Sequence, residues 1–339
     1  MARCKLADCT VATDGRCLEA RKDNCPNLIA SGPTDDAASN VSAEPEDQGY
    51  GTYPATEDLY SGLPLEIQEA REFSSRGRAV IVALTGMTEC GKTSLLARLH
   101  QQFQNGPVGG YDFVGSRTLF RFEEMNWLAT VESGVESPKM EHSSQQYDNS
   151  FLQLTVRRHA GDEPPVDLLL NDISGETYPE AIISESVCER LLCLRRADHL
   201  AVLVDGGAIA DRGRRHDHCA KAKNFVQRAL QTGQVGRKTV LHLVVTKRDE
   251  LLKEAHAIES LEAAKRLEDE FRARFTGSVG WVSCWQLAAR PLDGTMPTEE
   301  VVSALFAAWV SSTRRYEPVQ LPVLSLQAGA RDFCRFMAQ

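Results

Sequence analysis

Short apolar runs alternate with amphipathic stretches from about residue 61 onward. The run Ala79–Thr85 is aliphatic and β-branched and leads directly into glycine, which is typical of a strand buried on both faces. Five later apolar runs also predict strands: Phe151–Val156, Val166–Ile173, His199–Val204, Val240–Val245 and Trp281–Cys284. Strands that alternate with helices predict an α/β domain in which helices cover both faces of a mostly parallel sheet.

Helical periodicity separates these runs. The predicted helices are a lead-in at Leu63–Phe73, a helix around Leu95–Phe103, an inserted helix at Thr118–Ser133, and further helices at Cys219–Leu230, 258–275 and Val301–Val310. In the helix over 258–275 the apolar face is formed by Ile258, Leu261, Ala264, Leu267, Phe271 and Phe275. Only a charged turn separates the strands at 151–156 and 166–173, so they are expected to form a hairpin.

Composition divides the chain into four regions. We expect a cysteine-rich module over 1–30, an acidic flexible linker over 31–60, a nucleotide-binding domain over 61–315 and a tail over 316–339. The net charge is −9, and residues 26–60 carry seven carboxylates and no Lys or Arg. A segment of this composition, with few large aliphatic residues, cannot offset the entropy of ordering.

The same features exclude several classes of protein. The longest apolar run falls short of the roughly 18 residues that a membrane span needs, and the charged first 25 residues contain no secretory apolar segment. Outside the acidic region the chain is nearly neutral and has no block of Lys and Arg. We therefore expect a cytoplasmic protein that binds neither membranes nor nucleic acid.

A phosphate-binding loop is predicted between the first strand and the next helix. The segment Gly86–Thr93 fits G-x-x-x-x-G-K-[ST], with backbone N–H groups facing the anion. Lys92 is expected to reach the β- and γ-phosphates, and Thr93 to supply a hydroxyl to Mg²⁺. The residues expected to contact the nucleotide here are Gly86, Glu89, Cys90, Gly91, Lys92, Thr93 and Ser94. The alternative is a glycine turn that carries a surface lysine.

Three later strands end in short polar motifs: Asp172-Ile-Ser-Gly175, Thr246-Lys247-Arg-Asp249, and Ser283-Cys284. Ligands of open α/β sheets bind at the carboxyl ends of the strands, so the order and placement of these motifs indicate one site. With these motifs the chain resembles P-loop GTPases of the translation-factor and Ras-like class. Without the later motifs the phosphate loop would equally suit an ATPase.

The resemblance implies a role for each motif. Asp172 would hold Mg²⁺ through water, and Gly175 would offer its N–H to the γ-phosphate. Asp249 would accept from guanine N1–H and the 2-amino group, with the stem of Lys247 over the base. Ser283 matches the fifth motif of the family, and Cys284 beside it is also expected to contact the nucleotide. Thr246 replaces the usual Asn, and its hydroxyl can provide part of the same bracing.

Asp249 has a simpler alternative, a helix N-cap before Leu251. Lys92 and Glu176 are the predicted catalytic residues, since Glu176 stands where many GTPases carry a water-orienting Gln. A carboxylate there repels the γ-phosphate, so slow hydrolysis is expected; the alternative is a solvated side chain.

The remaining switch residues are left open by the sequence. Thr118, Ser143 and Ser144 are candidates for the switch threonine that closes over Mg²⁺. Arg117 is either an arginine finger or a surface residue at a helix N-terminus.

Four thiols in the first 25 residues suggest a metal site. Cys4, Cys9, Cys17 and Cys25 lie in a polar segment that lacks a core, and cytoplasmic conditions disfavour disulfides, which favours Zn²⁺. Free thiols and redox pairing remain alternatives, since no C-x₂-C pair is present. The segment His216–Cys219 also carries ligand-type residues but is interpreted as a solvated loop.

The cysteine-rich leader, the helical lead-in, Ser116-Arg-Thr118 and Asp172-x-x-Gly175-Glu176 together resemble prokaryotic double-GTPase type 2 proteins. This resemblance implies a role in bacterial conflict or defence and a second GTPase as partner. The function predicted is a slowly hydrolysing switch that binds GTP or GDP with Mg²⁺. The alternatives are a noncatalytic module with permanently bound nucleotide and a P-loop ATPase.

Overall fold

The computed structural model describes residues 3–4, 28–29, 60–127, 148–253, 257–289 and 299–311. The chain divides into two units, residues 1–58 and 59–339. In the first unit the two-residue strands β1 (Arg3–Cys4) and β2 (Leu28–Ile29) pair antiparallel.

A seven-stranded sheet forms the centre of the second unit. Its strands are β3 (Ala79–Thr85), β4 (Tyr111–Gly115), β5 (Leu152–Arg158), β6 (Val166–Asp172), β7 (His199–Asp205), β8 (Val240–Thr246) and β9 (Trp281–Gln286). The spatial order is β4-β5-β6-β3-β7-β8-β9. Strand β5 pairs antiparallel with both of its neighbours, and the other pairings are parallel. The sheet is therefore mostly parallel, as predicted.

Eleven helices are described in the second unit. They are α1 (Ile67–Arg76), α2 (Lys92–Asn105), α3 (Leu119–Trp127), α4 (Thr177–Ile183), α5 (Glu185–Arg190), α6 (Leu192–Arg196), α7 (Gly206–Ala210), α8 (Arg212–Gln231), α9 (Arg248–Leu251), α10 (Ala257–Phe275) and α11 (Glu299–Ser311). Within the described ranges, no helix combines the length and apolarity that a bilayer crossing requires.

Alternate residues of the buried strands feed two apolar layers. On one face Leu200 and Val202 of β7 pack with Phe225 of α8 and the apolar side of α10. On the other face Ala201 and Leu203 pack in the layer that contains α2, α3 and α11. Helices thus cover both faces of the sheet, which confirms the predicted α/β class.

The strand predictions succeed best where the strand is buried on both faces. The bounds of β3 agree with the prediction, and β5 and β6 form the predicted hairpin. Strand β9, however, runs two residues beyond the predicted end at Cys284. Strand β4 was not predicted, because its five residues are half-buried or exposed at the edge of the sheet.

Two helix predictions need correction. The prediction of a loop at 216–219 is wrong, because these residues lie in α8, where Asp211 accepts a capping hydrogen bond from Gly213 N at 2.8 Å. The first half of α8 is charged and faces solvent, so its sequence lacks the regular spacing of apolar residues that would predict a helix. Ile258 is 78% exposed and does not share the buried face of α10. Helix α3 begins within the predicted 118–133 helix; residues beyond 127 lie outside the described ranges.

Candidate functional site

The phosphate loop turns sharply between β3 and α2. Gly86 and Gly91 adopt φ values of 151° and 90°, a region that favours glycine. A Cβ on Gly86 would lie 2.5 Å from Leu203 O, so a side chain there would collide with the neighbouring strand. Glu89 also has a positive φ, 64°. The loop backbone therefore fits the conformation for which the glycine motif is selected.

Lys92 is a buried cation without a carboxylate partner. The side chain is at the first position of α2, the residue is 5% exposed, and Nζ donates to Gly86 O at 3.1 Å and Met87 O at 3.4 Å. Across the described part of the chain, no carboxylate lies within ion-pair distance of this ammonium. A buried charge that meets only neutral acceptors is costly unless an anion joins it. The surroundings of Lys92 therefore fit a bound phosphate group.

Two predicted Mg²⁺ residues meet beside the loop. Thr93 Oγ1 donates to Asp172 Oδ2 at 3.1 Å, although 79 residues separate them in sequence. The pairing of β3 with β6 places Leu84 opposite Asp172 and so brings the two strand ends together. A hydroxyl and a carboxylate are hard oxygen ligands of the kind that Mg²⁺ uses. The donor set fits the predicted ion.

The turn after β6 lies directly against the phosphate loop. A Cβ on Gly175 would be 2.4 Å from Thr88 N and 2.5 Å from Thr88 Cα. Only a residue without a side chain permits this approach. Gly175 is therefore placed where its backbone can respond to the contents of the phosphate loop.

A buried carboxylate that the sequence analysis missed anchors this turn. Asp148 is 7% exposed; its Oδ1 accepts from Ser174 N at 2.7 Å and its Oδ2 accepts from Thr177 Oγ1 at 2.5 Å. Burial raises the pKa of the Asp148 carboxyl, while the hydrogen bonds from Thr177 and Ser174 oppose that rise. No local motif marks Asp148, since its partners lie 26 and 29 residues away.

Thr246 braces the other end of the site. Its hydroxyl, on a residue 2% exposed, donates to Cys90 O at 2.7 Å and Val204 O at 3.2 Å. The nearest side-chain atoms of Thr246 would lie 3.7–3.8 Å from a Cβ on Gly91. The hydroxyl thus links the end of β8 to both the phosphate loop and β7. The resemblance to GTPases led us to expect bracing of this kind from Thr246.

Lys247 and Asp249 follow Thr246 in a tight turn. Lys247 has φ 47° and is the N-cap of α9, and its Nζ lies 2.9 Å from Asp205 Oδ2. Asp249 lies inside the first turn of α9, so the N-cap alternative for Asp249 is wrong. Asp205 also accepts from Gly207 N at 2.8 Å, which fixes the carboxylate that holds Lys247.

Ser283 and Cys284 do not reach this end of the sheet. Ser283 pairs with His242 in mid-strand and its Oγ lies 2.6 Å from His242 Nδ1, while Cys284 Sγ lies 4.0 Å from Glu268 O. The prediction that they end β9 is wrong because the strand continues to Gln286. Leu287 comes next to the site instead: its carbonyl accepts from Arg248 N at 3.1 Å.

The remaining switch candidates are placed as follows. Thr118 is buried, and its hydroxyl accepts from Gln153 N at 2.9 Å. This hydrogen bond holds Thr118 against β5. The Arg117 guanidinium stacks on Tyr60, 4.0 Å from the ring centroid. This position fits the surface arginine and not the arginine finger. Glu176 is exposed at the start of α4. Ser143 and Ser144 lie outside the described residues.

The zinc prediction falls mostly outside the described ranges, which omit Cys9, Cys17 and Cys25. For Cys4 only the backbone is described, in β1, opposite Leu28. Elsewhere, the described ranges contain no cluster of three or more His, Cys, Asp or Glu suited to a metal. Burial raises the pKa of the Cys90 thiol, although Lys92 lowers it. Zinc at the leader stays a prediction.

A chain of the signal recognition particle receptor SRb-GTP/SRX complex from Chaetomium thermophilum is 16% identical, with a TM-score of 0.39, over 68% of this chain and 97% of that chain. Comparison with curated proteins found no match. The family model Double-GTPase 2 matches residues 80–310, roughly two thirds of the chain, a span that contains the phosphate loop, Asp172 and Thr246–Asp249. The chain belongs to the Double-GTPase 2 family.

Proposed function

We propose that this protein is a guanine-nucleotide switch that binds Mg²⁺ with GTP or GDP and hydrolyses GTP slowly. The observation that carries the proposal is the buried Lys92 ammonium. It meets two carbonyl oxygens and the Cys90 thiol, and no carboxylate of the described residues, at the edge where Thr93 and Asp172 converge. Bound Mg²⁺ supplies neutralising charge to the β- and γ-phosphates. The chain itself contributes the loop amides, the ammonium and the oxygen ligands.

The switch element is the turn from Asp172 to Thr177. Gly175 lies against Thr88 of the phosphate loop, so an added phosphate oxygen would alter the contacts of the turn. Asp148 holds the same turn by two hydrogen bonds. A turn that is held from one side and exposed to the phosphate on the other can adopt two arrangements, as nucleotide switches require.

Slow hydrolysis follows from the side chains near this turn. Of the two predicted catalytic residues, Lys92 is buried and Glu176 is exposed. The carboxylate of Glu176 repels the γ-phosphate. Arg117 is occupied by Tyr60, Phe73 and Glu72, at 4.0, 4.9 and 3.9 Å, and so does not stabilise transition-state charge from its present position. We expect hydrolysis to depend on an activating partner, and we propose a second GTPase for that role.

Guanine recognition is assigned to the turn of Lys247 and Asp249. Thr246 ties this turn to the phosphate loop, and Lys247 is fixed by Asp205, which leaves its aliphatic stem to cover a base. In this assignment the Asp249 carboxylate accepts from N1–H and the 2-amino group. Adenine has an acceptor at N1 and only a hydrogen at C2, so it would leave the carboxylate unpaired.

Asp249→Asn tests the assignment. The amide places a donor where guanine also donates but where xanthine has a 2-oxo acceptor, so preference should move from GTP toward XTP by roughly 5- to 150-fold, equivalent to about 1–3 kcal/mol. The measurement is competition binding of GTP, XTP and ATP to both proteins. Glu250→Gln, the same chemical change at the next residue of α9, is the matched control and should leave the ratio unchanged.

Four outcomes distinguish the candidate functions. An unchanged ratio of GTP to XTP in Asp249→Asn would overturn the guanine assignment, and ATP competing as well as GTP would favour the ATPase alternative. Bound GTP that survives purification and never turns over would favour the noncatalytic module. GDP released from the denatured protein supports the switch.

The leader and the cellular role complete the proposal. We assign one Zn²⁺ to Cys4, Cys9, Cys17 and Cys25; the pairing of Cys4 with Leu28, three residues after Cys25, supports the idea that both ends of the leader meet. The acidic segment 31–60 then links this module to the GTPase domain over 61–315, with 316–339 as a tail. A cytoplasmic role in bacterial conflict or defence is our proposal for the whole protein.

A further inference from the structure

A cavity lies between α1 and α6, on the face of the sheet opposite α2. It has a volume of about 450 Å³, and its floor is apolar, formed by Ala70, Ile81, Phe151, Leu169 and Cys193. This volume falls within the roughly 300–1,000 Å³ of small-molecule sites. The cavity is separate from the nucleotide site, whose residues do not line it.

Three arginines stand at the rim of the cavity. Arg71 belongs to α1, and Arg195 and Arg196 belong to the last turn of α6, so cationic residues line the cavity on both sides. Within the described ranges, none of the three makes an ion pair or a side-chain hydrogen bond, whereas the neighbouring Arg76 is paired with Glu72. An apolar floor below unpaired guanidinium groups is complementary to a molecule with an apolar body and an anionic head.

The wall of the cavity is joined to the switch turn by one short segment. Asn149 Oδ1 accepts from Leu192 N, the first residue of α6, at 3.0 Å, and Phe151 lies in the floor. The preceding residue, Asp148, holds Ser174 and Thr177. Residues 148–151 therefore contact the cavity and the switch turn together, so a ligand that shifts α6 also acts on the turn.

We propose that the cavity between α1 and α6 binds an anionic amphiphile, and that its occupancy is coupled to the nucleotide. The binding half stands on the cavity and its arginines alone; the coupling half rests on the proposed nucleotide site. The ligand class is a small molecule with an aliphatic or aromatic body and a single carboxylate, sulfonate or phosphate head. Its body occupies the floor, and its head meets Arg71, Arg195 and Arg196.

Two fluorescent probes that differ by one sulfonate group test the binding half. The full-length protein is titrated with 8-anilinonaphthalene-1-sulfonate and with N-phenyl-1-naphthylamine, which lacks the sulfonate. Combined Arg71→Gln, Arg195→Gln and Arg196→Gln should weaken the sulfonate probe by roughly 3- to 100-fold, as expected for three exposed ionic contacts, and the neutral probe by less than twofold. Arg266→Gln, Arg272→Gln and Arg274→Gln on α10 make the same charge change elsewhere and should alter neither.

A second variant removes the space instead of the charge. Ser74 lines the cavity from the exposed side of α1, so Ser74→Trp should fill the opening and abolish binding of both probes without unfolding the helix. Equal affinity of the sulfonate probe in all variants would overturn the site. Competition by dodecanoate and by dodecyl phosphate then distinguishes a carboxylate from a phosphate head.

The coupling half is tested by repeating the sulfonate titration with saturating GDP and Mg²⁺. Coupling predicts a change of at least threefold in probe affinity and, by linkage, an equal change in GDP affinity when the probe is bound. Calorimetry in the same buffer establishes whether GDP binds. Bound GDP without any change in probe affinity would overturn the coupling alone, whereas no GDP binding would mean that the proposed function has failed and not the cavity.

Discussion

Replacing Thr246 by Val should weaken nucleotide binding through a single hydroxyl. Val keeps the branched shape of the side chain and removes the one group that donates to Cys90 O at 2.7 Å and Val204 O at 3.2 Å. Because Thr246 is 2% exposed, water cannot take over the lost interaction. Removal of a buried hydrogen bond that leaves its acceptor unsatisfied costs about 1–3 kcal/mol.

The loss should act on affinity as well as stability because of what the hydroxyl connects. Cys90 belongs to the phosphate loop, and Thr246 opens the turn assigned to the base. A nucleotide that binds both segments benefits when their spacing is fixed beforehand, and a free loop must be ordered on binding. We expect Thr246→Val to weaken GDP binding by roughly 5- to 150-fold, the equivalent of the same 1–3 kcal/mol.

Two controls separate this effect from a general loss of stability. Thr246→Ser retains the hydroxyl and should bind GDP nearly as well as the unmutated protein. Thr239→Val makes the same substitution one residue before β8 begins, where the buried hydroxyl donates to Ala197 O at 3.3 Å. It should lower the free energy of unfolding and leave GDP affinity within twofold.

The assay combines calorimetric titration with GDP and urea unfolding of the nucleotide-free protein. If Thr246→Val changes GDP affinity by less than twofold and unfolding by less than about 0.5 kcal/mol, the hydroxyl does not brace the site and the reasoning is refuted. If Thr239→Val weakens GDP as much as Thr246→Val, the affinity loss reflects global destabilisation.

The other predictions concern the loop, the switch turn and the leader. Lys92→Ala should abolish tight GTP binding in calorimetry, since it removes the buried cation; undiminished affinity would contradict the phosphate-loop assignment. Gly175→Ala should lower the free energy of unfolding of the nucleotide-free protein by about 1–3 kcal/mol, because the new Cβ would lie 2.4 Å from Thr88 N. Metal analysis should find one zinc per chain, lost when Cys9 and Cys17 become Ser while the unfolding of the GTPase domain is unchanged; a zinc-free unmutated protein would refute this.

Local signals in the sequence were sufficient for the phosphate end of the site. The bounds of β3 follow from one β-branched run that ends in glycine, and the loop after it has fixed spacing. Asp172 was found in the same way, because it follows another buried run. Each of these features depends on neighbours within a few residues, which a sequence displays directly.

The features that were missed depend on distant parts of the chain. Strand β4 is recognised as a strand by its pairing with β5, about 40 residues later, and its own pattern is weak. Asp148 is assigned only by partners beyond β6. The end of β9 is set by pairing with β8, in which Gln286 lies opposite Val245. The predicted strand end at Ser283 and Cys284 is therefore too early in the sequence.

The affinity of the proposed site depends on a competition at Lys92. Without nucleotide the ammonium donates to Gly86 O and Met87 O, two neutral acceptors of its own loop. A phosphate oxygen offers a charged acceptor, and such hydrogen bonds are roughly twice as strong as neutral ones. The loop therefore keeps its cation buried and in place at a modest cost and releases it only to a stronger acceptor. The hydroxyl of Thr246 contacts the same loop at Cys90 O, so its removal should also disturb the two carbonyls beside the ammonium.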